Sequence, residues 1–490
     1  MNLTEYLVNT KYKTNIASTD SIEINGITTD SRNIKSGNLF VCIRGARFDG
    51  HDVAQKMLDK GAVAVVTDHD IGVDNQVIVS DTRSAYASIC AAHFGNPSKK
   101  LKLIGITGTN AKTTITFLVK AILKSLGERV GLIGTIRNEI DDIQIPAKFT
   151  TPDPYQLNEL FAKMVDLGCK YVVMETSSQA LHQQRLDGLE FEVGIFTNLS
   201  QDHLDYHENM ENYFNSKKRL FDMCKKIVIN IDDSYGERLK NELSDKEIIT
   251  CSMSNKNADF YTENAEYYSD KCVFEVVYDR ATYSVTVPMP GEFSVMNSLE
   301  AIIAAYCVSG DLKSCCDGIK NCYGVTGRAE VISTCEDFTI IRDFAHAPEA
   351  LKKILESMRK FTKGRLITLF GCAGNRDRAK RKIMARNVAQ NSDLVILTSD
   401  NPRDEDEMQI INDAKVGFEG IDTPYKIIPD RYTAIVWAVN NLEKGDLLLL
   451  AGKGHEDYQV LHDETIYFDE KVIVEELLCR AGTGKKDRHI

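Results

Sequence analysis

Leu101-Lys-Leu-Ile-Gly-Ile-Thr-Gly-Thr-Asn-Ala-Lys-Thr-Thr114 is the stretch whose reading decides the fold. An apolar run ends in a Gly/Thr-rich turn, and the residues that follow, TTITFLVKAILKSLG, carry a helical pattern. Strand, glycine turn and helix in that order are the setting a phosphate-binding loop requires. Backbone N–H groups of Gly108, Thr109, Asn110 and Ala111 would cradle phosphates, and Lys112 would reach the β- and γ-phosphates. Thr113, beside Thr114, would hold magnesium, and the helix N-terminus adds its positive dipole end. The usual pattern places glycine immediately before the lysine, where this chain has Ala111. A β-carbon there costs on the order of 1 kcal/mol if the backbone angle is positive. The alternative is a strand-to-helix turn that binds nothing; the agreement of the flanking strand and helix argues against it.

Outward from this turn, β-branched runs alternate with helical patterns three times over, the sequence form of α/β units with parallel sheets. The first block holds Asn38 to Gly45 and Gly61 to Asp68; the second holds the phosphate turn, YVVMET, VGIFTN and IVIN. The third follows GRAEVI, with runs at FTIIRD, RLITLFG, DLVILTS and DLLLLAGKG. A chain of 490 residues exceeds what one core organises, so domains are expected at 1–99, 100–331 and 332–490.

The formal net charge of -12 argues against a nucleic-acid or anionic-membrane partner. The N-terminus, MNLTEYLVNTKYKTN, lacks the charged start and apolar core of a leader, and no run is long enough to span a bilayer, so a cytoplasmic protein is expected. The 13 cysteines are scattered without a C-x-x-C pair or zinc spacing, which reads as reduced, mostly buried thiols.

Further along lie Glu175 at the end of METSS, the block NLS-x-DHLDYH (198–207) and Lys217. Together with GTN-x-KTT these motifs resemble the Mur ligase family of peptidoglycan synthesis, and the likeness covers essentially the whole chain. It implies three α/β domains: a central P-loop ATPase with a parallel sheet, an N-terminal UDP-binding domain and a C-terminal Rossmann-like domain. It also implies an ATP-dependent amide ligase, a monomer, that activates a carboxylate as an acyl phosphate and joins it to an amine. The substrates implied are ATP, UDP-N-acetylmuramoyl-L-alanyl-D-glutamate, activated at its D-glutamate γ-carboxyl, and meso-diaminopimelate.

The chemistry explains the residue types, because a γ-phosphate and a carboxylate must approach each other and divalent cations neutralise both. By the resemblance, Glu175 and Thr113 hold one Mg2+ and His203 supports a second, although imidazole is an unusual magnesium ligand. The family supplies the missing oxygen by carbamylating a lysine, here matched by Lys217 as N6-carboxylysine; neighbouring Lys218 points about 100° away on a helix. Lys112, Glu175, His203 and Lys217 thus form the implied catalytic set, and His207 is read as structural. Ser31 and the Asp49-Gly50-His51 turn match the uridine region, while Thr150, Thr151, Ser177, Gln183 and Arg185 match positions that hold the muramoyl dipeptide.

Asn297, Arg328, Asp343 and His346 match the family's ATP motifs, which implies that ATP sits between two domains. The string Ser399-Asp400-Asn401-Pro402-Arg403 is the family's diaminopimelate signature, and Arg376, Gly452 and Glu456 complete the matched amine site. A guanidinium fork suits the distal carboxylate that lysine lacks. Departures from the family pattern fall at Ala111, Glu208, Thr326 and Asn375. They leave open a related ligase using lysine or another carboxylate, or a UDP-peptide-binding protein without catalysis.

Overall fold

The computed structural model describes residues 1–45, 48–334 and 337–484. Ala46 and Arg47 of the uridine-region stretch and one cysteine, Cys335, lie outside the described residues. The twelve other cysteines are thiols rather than disulfides, and most of them are buried. Among the described residues no helix is long and apolar enough to cross a membrane.

The chain divides into two compact units. One comprises Met1–Thr116, Gly127–Ile249 and Cys307–Gly310 and contains two sheets. In its N-terminal sheet the strands Gly26–Thr28, Asn38–Val41, Ala64–Thr67 and Gln76–Val79 run parallel, with Tyr12–Thr14 antiparallel at the edge. Side chains alternate across such a strand, so Leu39 and Val41 enter one core with Leu3, Val66 and Ile89, while Phe40 enters another with Met57 and Val65. Burial on both faces explains why NLFV reads as a continuous apolar run.

The second sheet of this unit carries the phosphate turn. Lys102–Thr107 lies between Tyr171–Glu175 and Phe191–Phe196, all parallel, with Val130–Ile133 and Cys224–Asn230 parallel outside them. The register pairs Glu175 with Ile106 and Phe196 with Thr107. Three carboxyl ends therefore deliver the turn at 108–111, Glu175 and Thr197–Asn198 to one edge, where open α/β sheets bind ligands.

The other unit comprises Phe117–Leu126, Thr250–Tyr306 and Asp311–Ile490. Its strands Phe260–Tyr267, Cys272–Tyr278 and Ala281–Val287 form an antiparallel meander. The link between the last two is Asp279-Arg280, both with positive φ, as a two-residue hairpin turn needs. Its six-stranded sheet has Phe338–Asp343, Asp446–Ala451, Leu366–Phe370, Leu394–Leu397 and Tyr425–Ile427 in parallel, with Glu330–Thr334 antiparallel at one edge. Apolar clusters cover both faces, including Ile341, Leu355 and Leu449 on one and Ile340, Ile435 and Leu448 on the other.

Candidate functional site

The turn after Lys102–Thr107 is braced from the neighbouring strand's exit. Thr109 N–H donates to the Asn198 carbonyl at 2.8 Å and Asn110 N–H to Asn198 Oδ1 at 3.0 Å, while Thr197 Oγ1 donates to the Asn110 carbonyl at 2.8 Å. Two of the amides expected to cradle phosphate are thus engaged by Asn198. Gly108 admits no side chain, because a Cβ would sit 1.9 Å from Thr197 Oγ1. Ala111 adopts φ 74°, the left-handed region where its β-carbon is strained.

Two lysines converge on this turn. Lys112 Nζ donates to the Gly108 and Thr109 carbonyls at 2.9 Å each, and Lys217 Nζ donates to the same Gly108 oxygen at 2.7 Å. Lys217 projects from the helix Met210–Asp222, is 1% exposed and lies over the Tyr213 ring at 4.6 Å. Burial, reinforced by the charge of Lys112, holds its amine well below the usual lysine range, against an opposing pull from Asp202. Lys218 instead pairs with Glu242 at 2.7 Å. Two lysine side chains thus share one carbonyl oxygen, and the Lys112 charge makes the turn attractive to an anion.

Glu175, 1% exposed, stands beside them through Thr113. Thr113 Oγ1 and Thr135 Oγ1 each donate to Glu175 Oε2 at 3.0 Å, and Thr135 N–H donates to Oε1 at 2.8 Å. Glycine at 134 is required, since a Cβ there would lie 2.4 Å from Glu175 Oε1. Thr135, in the turn leaving Val130–Ile133, has no motif in the sequence that would have singled it out.

His203 is half exposed, in the left-handed region at φ 51°, with Nε2 3.6 Å from Asp202 Oδ2 and its ring edge-on to Tyr213. Burial lowers its pKa, and Lys112 and Lys217 add to that against Asp202. Tyr213 OH in turn approaches Thr109 Oγ1 at 3.3 Å, so His203 belongs to the same turn. His207 is enclosed, Nε2 2.9 Å from Ser178 Oγ, and burial pushes it down to about 4.

The residues matched to the dipeptide continue this edge. Thr150 Oγ1 is 3.0 Å from Thr135 Oγ1, and Thr151 Oγ1 lies 2.8 Å from the Glu175 carbonyl and 3.2 Å from Ser177 Oγ. Arg185 Nη1 donates to the Thr151 carbonyl at 2.8 Å and Nη2 to Gln183 Oε1 at 2.7 Å. Ser31 lies in a turn after Gly26–Thr28, on the other sheet.

In the second unit three motifs close on one another. A Cβ at Gly327 would meet His455 N at 2.0 Å, so GRAE and the Gly454-His455 loop pack backbone to backbone. Asp343 accepts from the N–H groups of Ala329 and Ala345 at 2.7 Å each; burial raises its pKa while Arg328 opposes. Arg328 stacks over Phe344 at 4.8 Å, His346 is exposed with Nδ1 2.7 Å from the Phe344 carbonyl, and Asn297 is buried in the helix Glu292–Ser309.

At the carboxyl end of Leu394–Leu397, Asn401 and Glu456 form one group. Asn401 Nδ2 donates to Glu456 Oε2 at 3.0 Å, and the fully buried Lys453 donates to Asn401 Oδ1 at 3.2 Å and reaches Glu456 at 3.3 Å. Asp400 Oδ1 accepts from Asn401 N–H at 2.7 Å, and Gly452, at φ 112°, leaves room for the other Asp400 oxygen. Arg403 has φ 54° and donates from Nη1 to the Gly374 carbonyl at 2.8 Å, while a Cβ at Gly374 would strike the Pro402 carbonyl. Arg376 is exposed on the loop after Leu366–Phe370. Sequence reading missed Lys453's role inside this group, and also Arg381, buried against Glu405 and Asp413.

Comparison with known proteins fits this geometry. Residues 23–94 match the model described as Mur ligase family, catalytic domain; 106–305 match the Mur ligase middle domain; 327–454 match the Mur ligase, glutamate ligase domain. The chain is 44% identical to the UDP-N-acetylmuramoyl-L-alanyl-D-glutamate--2,6-diaminopimelate ligase of Clostridium botulinum, covering 93% of this chain and 95% of that protein. Its identity to the protein of the same name from Caldanaerobacter subterraneus is 41%, over 98% and 100%. A solved structure of a ligase of that name aligns with TM-score 0.74 at 31% identity, over 98% of this chain and 99% of that one.

Proposed function

The chain belongs to the Mur ligase family, and from that premise we propose that it joins meso-diaminopimelate to the D-glutamate γ-carboxyl of UDP-N-acetylmuramoyl-L-alanyl-D-glutamate at the expense of ATP. The observation that carries this reading is the convergence of Lys112 and Lys217 on the Gly108 carbonyl, with Glu175 held alongside through Thr113. A γ-carboxylate oxygen attacks the γ-phosphorus and ADP departs. The diaminopimelate amine then attacks the acyl carbon, loses a proton and expels phosphate. Lys112 turns from the loop carbonyls to the β- and γ-phosphates, and the amides that open the helix Lys112–Ser125 receive the phosphate oxygens.

The donor set suits magnesium. Glu175 and Thr113 offer oxygen ligands, and burial lowers the pKa of the Lys217 amine, favouring the neutral form that adds to carbon dioxide, releasing a proton and becoming a carbamate. His203 completes the set. Magnesium bound there would neutralise the phosphate and carboxylate oxygens that must meet. Thr150, Thr151, Ser177, Gln183 and Arg185 hold the dipeptide, and Ser31 holds the uridine end. Asn297, Arg328, Asp343 and His346 serve the nucleoside of ATP. Arg403 and Arg376 grip the distal carboxylate of diaminopimelate, and Glu456, with Asp400 and Asn401, takes its ammonium. We assign residues 1–99, 100–331 and 332–490 to the UDP-binding, ATP-binding and amine-binding domains, in a cytoplasmic monomer.

The test is release of ADP with magnesium, ATP, the UDP-dipeptide and a panel of amines. Turnover with meso-diaminopimelate and little with lysine supports the reading; no turnover with any diamino acid overturns it.

A further inference from the structure

Away from the phosphate turn, His51, Asp68 and His69 each bring one ligand atom to within 4.8 Å of the others. We propose that these residues, His51 among them from the turn matched to the uridine region, form a binding site for a divalent transition ion of the zinc class, distinct from the magnesium set. His51 lies in the short turn Gly50–Val53, and Asp68 and His69 follow the strand Ala64–Thr67. The site thus forms at the carboxyl edge of a parallel sheet.

The His51 ring is held as a metal ligand would be. Asp49 Oδ1 lies 2.6 Å from Nδ1 and accepts the His51 backbone N–H at 3.0 Å, and Arg44 Nε fixes the other carboxylate oxygen at 2.9 Å. A carboxylate on Nδ1 puts the proton there and the lone pair on Nε2, the orientation that second-shell carboxylates impose on ligating histidines. That lone pair faces Asp68 Oδ1 at 3.3 Å. Two electron-pair donors opposed at this distance suit a cation between them, and ~2.0–2.1 Å bonds at tetrahedral angles place ligand atoms about 3.3 Å apart. The competing donor, Asp68 N–H, is also 3.3 Å from Nε2, long for a hydrogen bond.

His69 Nδ1 sits 2.5 Å from the same Asp68 oxygen, and its side chain, 51% exposed, has room to turn onto an ion; the two imidazoles stack at 5.0 Å. Two imidazoles and one carboxylate, with a fourth position open to water, select zinc, cobalt or nickel over magnesium and calcium, which want oxygen throughout. The other possible occupant is a proton, making His51 an imidazolium between Asp49 and Asp68.

The full chain, stripped with chelator, is titrated with Co2+ in millimolar magnesium. Expected are one tightly bound cobalt, visible bands of tetrahedral nitrogen and oxygen ligation, and displacement by zinc. His69→Ala and Asp68→Asn, both partly exposed positions whose variants keep the metal-free melting temperature, weaken cobalt at least about tenfold, and Asp49→Asn weakens it about 10- to 100-fold. Uptake unchanged in His69→Ala and Asp68→Asn, a thiolate charge-transfer band, or no cobalt uptake by the wild type each overturns the proposal; the last leaves the proton as occupant.

Discussion

Lys217 in the first unit and Arg431 in the second are basic side chains equally withdrawn from water, each 1% exposed. Their surroundings differ. Arg431 reaches Glu470 Oε1 from two nitrogens at 2.8 Å and also donates to the Ser399 and Ala451 carbonyls at 3.0 Å. Lys217 has the Gly108 carbonyl and a tyrosine face, and its strongest electrostatic neighbour is another lysine. Where the chain supplies the counter-charge, a buried cation ties strands and a helix together. Where it does not, burial lowers the basicity of the amine, which is the condition the proposed carbamate needs.

The comparison breaks most sharply at Arg431. Arg431→Met strands Glu470 in the core and is expected to cost about 3–5 kcal/mol in urea unfolding, the usual effect of removing half of a buried pair. Lys217→Met should do the reverse: turnover falls about 10²–10³-fold while stability at neutral pH holds or rises. Here the sign follows from linkage. The folded lysine binds its proton less tightly than the unfolded one, so the wild type is destabilised below the ordinary value of 10.5, and the advantage of Lys217→Met shrinks as pH climbs toward it in carbonate-free buffer. A variant that loses both activity and several kcal/mol of stability at pH 7 would place Lys217 with Arg431.

Smaller effects sharpen the contrast. Arg403→Ala is expected to lower kcat/KM for meso-diaminopimelate by about 1.5–3 kcal/mol of transition-state stabilisation and to leave lysine nearly unchanged, narrowing the preference without a change in melting temperature. Ala111→Gly should raise stability by about 0.5 kcal/mol, relief of about 1–2 kcal/mol of left-handed strain being offset by about 0.4–1 kcal/mol from the freer unfolded chain. Chemical denaturation resolves this, and a loss on adding glycine would mean that the loop uses the alanine methyl.

What was legible in the sequence is what backbone chemistry writes locally. The glycine turn, the lysine after it and the strand-end Glu175 follow from short motifs, and the parallel strands follow from unbroken apolar runs. Thr135, Lys453 and Arg381 were not legible, because each acts on a partner far away in the chain: Glu175, Asn401 and Glu405 respectively. Arg381 sits in the charged string RDRAKRK, which reads as a solvated face, yet it is 2% exposed. The meander at 260–287 carries the alternation of half-buried strands but no glycine in its hairpin, since Asp279 and Arg280 supply the positive φ angles themselves. The pairing of His51 with Asp68 and His69 arises only when two strand exits meet.

Gly134 leaves no space between its α-carbon and the Glu175 carboxylate. For a compound that blocks this enzyme by gripping Glu175, that closeness is an advantage: the nearest backbone cannot acquire a side chain to evict the compound without also displacing the carboxylate. Escape by mutation at that position would move Glu175 itself.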